Sequence, residues 1–551
     1  MHYTDAIRQQ TRRLREHSPA QRRLRAADLR SPLHIFAAVI VSLSLLPLGY
    51  LFLRATQAGT DSIAFLLSGR MLGVLANSLK LAAAVALSAT VLGLLVAWLT
   101  TRTDIPLRRL WLVSGPLPLA IPSFIGAIAY IALLGPRGVI QQALSPLGIQ
   151  ELPSIYGFPG VWLVITLFTY PYVLLPVRAA LLRLDPAQEE TARSLGHSRW
   201  SVFWRVTLPQ LRPAIGTGML FTALYTLSDF GAVALLRYNT FTRAIFQQYT
   251  SSFDRTRAAV LALVLVALAL TLITLERRLA SSLRNYRAGG SSTLRQPPLV
   301  RLGWWRFPAL VFLAALIGLG LIAPLAVLAS WAAQAIHSGA NPLYSALARP
   351  AANTAVISAV TAVLVSLTGL PLALLARQQW SPLGSWLVRL AYLGNSLPGL
   401  VIALALVFFA ASYLPGLYQT FPILILGYAI RFLPLSIGAT QSALAQVNPC
   451  YEEAGRSLGL PGWQVNVRVT LPLVRPGILG GAALVFLNVA KELPATLLLA
   501  PTGFKTLTTQ IWSAQNEAQM SQVGVPALLL IATSALALSL ILARDRGSEA
   551  G

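Results

Sequence analysis

Residues 190–213 read ETARSLGHSRWSVFWRVTLPQLRP, and 263 positions later residues 453–476 read EAGRSLGLPGWQVNVRVTLPLVRP. Glu190 matches Glu453, Arg193 matches Arg456, and the run Ser194, Leu195, Gly196 matches Ser457, Leu458, Gly459. The pentapeptide Arg205 to Pro209 recurs unchanged as Arg468 to Pro472. One chain therefore holds two copies of one module, and each copy carries a polar loop inside an otherwise oily sequence.

The correspondence runs outward from the loops. Asn77 and Ser78 open one apolar run as Asn353 and Thr354 open another, and Pro171 and Pro186 match Pro434 and Pro449. Between the copies, 281–306 is polar, basic and interrupted by GGSS at 289–292, the composition of a linker. The expected organisation is a tail at 1–31, a first half at 32–280 with its core at 72–279, the linker, and a second half at 307–551 with its core at 349–543.

Of the residues, 55% are hydrophobic and 11% charged, with a mean hydropathy of +0.65. Soluble proteins run at about 25% charged, so the chain reads as an all-α integral membrane protein. Apolar runs long enough to cross a ~30 Å hydrocarbon core are expected at 33–53, 72–99, 110–134, 158–182, 213–236 and 258–276, then at 308–333, 354–376, 386–410, 421–443, 477–500 and 524–543. That is about twelve transmembrane helices as two six-helix repeats. Barrel strands alternate and run only ~10 residues, which argues against a β-barrel. An even number of spans per half returns the second copy in the orientation of the first. The repeat is then parallel, with a path expected between the halves.

A formal charge of +25 suggests nucleic acid until the basic residues are placed on the spans. Most fall on the side that holds both termini and both loops, which the positive-inside rule assigns to the cytoplasm. The Arg-rich segment 1–31 reads as a cytoplasmic tail, and nucleic acid is excluded as a partner. Cys450 is the one cysteine, so no intrachain disulfide or cysteine metal cluster can form. His2, His17, His34, His197 and His337 are scattered, and no metal site is expected.

Within each loop, an acid sits where a helix start favours negative charge. A glycine follows where the chain turns with positive φ. A Leu-Pro pair, Leu208 with Pro209 and Leu471 with Pro472, resets the chain before the next span. Such a loop presents a short helix that fits a groove in a cytoplasmic protein. Asp229 and Glu492, also 263 apart, lie in apolar surroundings. They are candidates for the wall of a translocation path or for an internal ion pair or hydrogen bond that fixes helix packing.

The loops resemble the EAA loop of ABC-transporter inner-membrane permeases, in which Glu-Ala-Ala precedes a Gly and a more distant Leu-Pro. The chain departs from that pattern at Thr191 and Gly455. The resemblance implies the type I ABC importer permease fold and two loops that receive the stroke of a homodimeric cytoplasmic ABC ATPase. The positions it implies are Glu190, Ala192, Gly196, Leu208 and Pro209 in one loop and Glu453, Ala454, Gly459, Leu471 and Pro472 in the other. The chain itself is not expected to be an enzyme. A phosphate-binding P-loop needs Gly-Lys, and none of Lys80, Lys491 and Lys505 follows a Gly. No cofactor is expected on this chain, and ATP would be used by the partner ATPase.

Residues 228–249 and 491–512, with the fused layout, are similar to ferric-iron ABC permeases. That implies a periplasmic or lipid-anchored substrate-binding protein as partner. Thiamine, aminoethylphosphonate or another small solute are the alternatives within the class, and a self-contained secondary transporter is the alternative outside it. The expected location is the bacterial inner (plasma) membrane, multi-pass and embedded in lipid, with both termini cytoplasmic.

Overall fold

The computed structural model describes residues 32–57, 59, 64–136, 138–149, 151–250, 254–283, 299–337, 342–377 and 382–547. The Arg-rich segment 1–31, with His2 and His17, and the middle of the linker lie outside them. The described residues are overwhelmingly helical, as lipid requires of a chain whose backbone must satisfy itself. Nine helices among them are long and apolar enough to cross a membrane. They are Leu33–Thr56, Gly69–Arg102, Ser123–Leu147, Phe158–Leu182 and Thr256–Leu275, then Gly303–His337, Leu347–Ala376, Phe421–Leu444 and Gly462–Ala490. Gly399–Tyr413 and Ser521–Leu536 are shorter apolar helices.

Several expected spans are broken. The run 213–236 is the helix Leu208–Ser228, a halt at Asp229, and a short helix Gly231–Leu235. The run 477–500 divides in the same way into Leu471–Ala490 and Pro494–Leu499. The run 386–410 is two helices, Pro382–Ser396 and Gly399–Tyr413, parted at Pro398. The run 110–134 is parted into Arg108–Ser114, a 3-10 turn Leu117–Ala120 and Ser123–Leu134, around Pro116, Pro118 and Pro122. Proline lacks the N–H of the helical ladder and its ring crowds the preceding carbonyls, so the breaks before Pro494, at Pro398 and around Pro116, Pro118 and Pro122 have a local cause, whereas the halt at Asp229 holds no proline.

Contacts gather the chain into two units. Of the described residues, one comprises those up to Leu46 with those of Ser358–Asn395 and Tyr428–Phe486; the other comprises those of Pro47–Ile357, Ser396–Gly427 and from Leu487 on. In the larger unit the helices Gly69–Arg102, Pro171–Leu182 and Leu208–Ser228 pack on one another. A Cβ on Gly93 would stand 2.8 Å from Val173 Cβ and 2.9 Å from Tyr170 O, and one on Gly218 would stand 2.6 Å from Val173 Cα. Small residues let backbones approach this closely, a principal source of helix attraction in lipid. In the other unit Gly369 and Gly481 approach Ser436, the residue in register with Val173, and their Cβ atoms would stand 2.9 Å from its Oγ and 3.4 Å from its Cα. The repeat read in the loops is thus also a repeat of packing.

Candidate functional site

The first loop begins at Asp185, whose carboxylate accepts from the Ala187 N–H at 3.0 Å and caps the helix Pro186–Ser194. Such a cap contributes about 1 kcal/mol. The helix ends on Gly196 at φ +85°. There the Gly196 N–H donates to Arg193 O at 2.9 Å and the His197 N–H to Ala192 O at 3.2 Å, the paired bonds of a Schellman ending. A four-residue helix, Arg199–Val202, follows its cap Ser198. It widens into a π turn, Phe203–Thr207, before the helix Leu208–Ser228 begins.

The second loop repeats this step for step. Asn448 accepts from the Cys450 N–H at 3.0 Å, and Pro449–Ser457 is the helix. Gly459 turns at φ +83°, with its N–H on Arg456 O at 2.9 Å and that of Leu460 on Gly455 O at 3.2 Å. Gly462–Val465 and the π turn Asn466–Thr470 lead into Leu471–Ala490. Cys450 is exposed.

Glu190 and Glu453, singled out by pattern, are exposed, whereas their predecessors Glu189 and Glu452 turn inward. Glu189 accepts from Arg102 at 2.5 Å and from the Thr207 hydroxyl at 2.9 Å. Glu452 accepts from the Thr470 hydroxyl at 2.9 Å and pairs with Arg456 at 3.6 Å. The acid therefore closes each loop from helix to π turn. Ala192 is buried beside Glu189, and the residue in register with it is the buried Gly455; Ala454 is exposed and matches Thr191. The signal for the inward face was the spacing of Pro186, Glu189 and Ala192, one turn apart on one side of a helix. Outward, each loop shows a Leu and a Trp in the same places: Leu195 (74% exposed) with Trp200 (73%), and Leu458 (82%) with Trp463 (66%).

Asp229 and Glu492 are buried at the halts that follow the loop-bearing helices. Asp229 takes the Ser123 hydroxyl and, at 3.0 Å, the Ala232 N–H, so it caps the short helix beyond it. Glu492 takes the Ala495 N–H at 3.4 Å. The Asp229 carbonyl accepts from Thr242 and the Glu492 carbonyl from Thr508. The Asn77 amide donates to Asn239 O and the Ser78 hydroxyl accepts from Phe241 N–H; Asn353 and Thr354 do the same for Lys505 and Leu507. Both carboxylates hydrogen-bond internally, the packing role left open beside the path role.

Between these halts Phe230, 2% exposed, meets Phe246 at 4.6 Å and Trp512 at 5.5 Å between ring centroids. Lys491 Nζ lies 3.4 Å from Leu119 O. First-half and second-half residues thus close on each other through an aromatic contact that the sequence reading missed. Among the described residues no group of three or more His, Cys, Asp or Glu is placed to hold a metal ion. His34 is buried, His197 lies 3.4 Å from Ser201 Oγ, and His337 bonds Ala333 O.

A helical membrane chain of two like halves, each carrying a capped loop of one design, belongs to the class of membrane transport subunits. The family model for the binding-protein-dependent transport system inner membrane component matches it twice, over residues 89–285 and 366–546, and the chain belongs to that family. It is 35% identical to the Fe(3+)-transport system permease protein FbpB 2 of Haemophilus influenzae, over 91% of this chain and 96% of that one. It is 24% identical to the ferric transport system permease protein FbpB of Actinobacillus pleuropneumoniae, over 85% and 70%. A crystal structure of a bacterial ABC transporter involved in the import of the acidic polysaccharide alginate aligns with a TM-score of 0.35 at 18% identity, over 41% of this chain and 84% of that chain.

Proposed function

We propose that the chain is the membrane subunit of an ATP-driven importer that passes ferric iron inward from a periplasmic binding protein. The observation that carries the importer reading is the pair of loops. Each is capped, turned by a glycine at positive φ and closed by an inward acid, and each shows a Leu and a Trp to the outside. Exposed apolar anchors on a short, stiff helix suit docking into a groove. The partner is a cytoplasmic ABC ATPase homodimer, one subunit per loop, with Glu190 and Gly196 in one contact and Glu453 and Gly459 in the other. The loops and both termini then face the cytoplasm. Iron is supported by the 35% identity to a Fe(3+)-transport permease along nearly the whole chain. Asp229 and Glu492 shape the path by fixing the halts at which Phe230 and Trp512 meet, and the aromatic contact is the closed point of that path.

The test is uptake of radioactive ferric iron into proteoliposomes that hold this chain, its ATPase and its binding protein, with and without ATP. ATP-dependent uptake is expected. ATPase activity stimulated by the binding protein without iron uptake would keep the importer and refute the cargo; transport without any ATPase would refute the importer.

A further inference from the structure

A lysine stands at the second halt. Lys491 follows the helix Leu471–Ala490, is half-buried, and sends its Nζ to Leu119 O at 3.4 Å. Leu119 belongs to the 3-10 turn Leu117–Ala120 that parts the first-half run. Along helix and turn it lies roughly 20 Å from Arg108, whose guanidinium bonds the Thr100 and Thr101 carbonyls at the loop end of Gly69–Arg102. The ammonium therefore sits within a ~30 Å hydrocarbon core. A half-exposed ionic group at that depth faces a water-filled cavity, not lipid. Among the described residues no carboxylate pairs with it.

The two acids of the halts are turned elsewhere. Both are buried: Asp229 takes the Ser123 hydroxyl and the Ala232 N–H, and Glu492 takes the Ala495 N–H. Chain neighbours such as Lys491 and Glu492 point in different directions, so the acid beside the lysine does not cancel it on the exposed side. The first-half residue in register with Lys491 is Ser228, half-buried and uncharged. The wall at the halts thus shows a single positive charge beside the Phe230 and Trp512 contact. Ferric iron takes hard oxygen ligands, and among the described residues no three His, Cys, Asp or Glu gather to supply them. A fixed ammonium also repels a bare trivalent cation. Iron that passes here must bring its own oxygens, with enough negative charge to be drawn to the lysine.

We propose that Lys491 is a specificity-determining residue: its ammonium selects cargo of net negative charge, and ferric iron crosses as a complex with an oxyanion, carboxylate or phosphate, that travels with it. The complex rests on the ferric reading above; the charge that Lys491 gives the wall does not. That charge is tested on the full chain in lipid nanodiscs, with and without ATPase and ATP. Cys450→Ser leaves Leu119→Cys as the one thiol and keeps the carbonyl that Lys491 bonds. An anionic methanethiosulfonate is expected to modify it about tenfold faster than a cationic one, each rate divided by that for a free thiol. Lys491→Gln is expected to bring the two rates together and Lys491→Arg to keep them apart. Ser228→Cys, a change of one atom, serves as reporter if Leu119→Cys does not insert. A thiol that neither reagent reaches in any state, or equal rates with Lys491 in place, would overturn the proposal.

The complex is tested in proteoliposomes with ATPase and binding protein, where radioactive iron is supplied with labelled citrate in one arm and labelled phosphate in the other, each as the sole polyvalent oxyanion. Label is expected to enter with iron in a fixed ratio, and the arm in which it does so tells carboxylate from phosphate. Lys491→Gln is expected to lower entry of both several-fold, and Lys491→Arg to restore it. Iron that enters without label in both arms, or undiminished uptake in Lys491→Gln, would overturn the proposal. Wild-type proteoliposomes that take up no iron with ATP would defeat the ferric reading and the complex with it, while the thiol rates still judge the charge selection by Lys491.

Discussion

Glu189 and Glu190 are neighbours with opposite duties. Glu189 neutralises Arg102 inside the protein, so Glu189→Ala strands a buried cation, a loss of about 3–5 kcal/mol. Glu190 is exposed, and Glu190→Ala is expected to stay within about 0.5 kcal/mol while weakening ATPase docking. Thermal unfolding beside ATPase co-purification separates the two, and equal unfolding temperatures would refute the division. Pattern matching picked the outward acid because two acids stand side by side in each copy, and composition does not say which one faces in. The burial of Pro186, Glu189 and Ala192 at a spacing of three was legible; the cation that meets Glu189, 87 positions away, was not. Asp104 supplies a pH expectation, because it pairs with Arg306 beside the Thr103–Val300 bridge, next to the Arg102 that bonds Glu189. The Arg306 hydrogen bond, and then the Leu302 N–H, hold its carboxyl below the usual range. A depressed carboxylate contributes fully above its unfolded value of about 4 and is lost as pH falls through its folded value. Protection of the first loop, corrected for intrinsic exchange, is therefore expected to be flat from about pH 8 to 5 and to fall only in stronger acid. A decline beginning near neutrality would rule out the Asp104–Arg306 pair as a support of that loop.

At the scale of elements, the breaks matter more than the spans. Hydropathy located the apolar runs because each must be long enough for the bilayer, but it is blind to a halt inside one. Pro398 and Pro122 sit in runs that membrane helices can tolerate, and Asp229 reads as a lone acid until Ser123 and the Ala232 N–H are seen on it. These halts turn the chain so that Phe230 reaches Trp512. Replacing Trp512 by Leu removes the ring contact and keeps most of the apolar volume. If the contact stabilises the closed state of the path, that state loses population. ATP hydrolysis without binding protein is then expected to rise about tenfold, as a shift of ~1.4 kcal/mol implies. ATP hydrolysis that still waits on the binding protein in Trp512→Leu would reduce the contact to packing.

Across the whole molecule, the repeat is written twice, in loops that a reader can align and in glycines that only the packing explains. Gly93 and Gly218 lie against Val173 and the backbone beside it, and Gly369 and Gly481 lie against Ser436. Gly93→Leu is expected to abolish monodisperse protein on size exclusion, since its first side-chain atom would overlap Val173, Leu174 and Tyr170. Gly73→Leu, with nothing within 4 Å, is expected to leave the profile unchanged. A normal profile for Gly93→Leu would mean that the helices can part. The presence of both loops in one chain bears on descent. In a permease assembled from two identical chains, every substitution appears at both loops and is selected for both duties at once. Here a substitution is felt once. Phe203 stands where the other copy has Asn466, and Ser198 where it has Pro461; joining the halves in one chain is what lets the two loops differ.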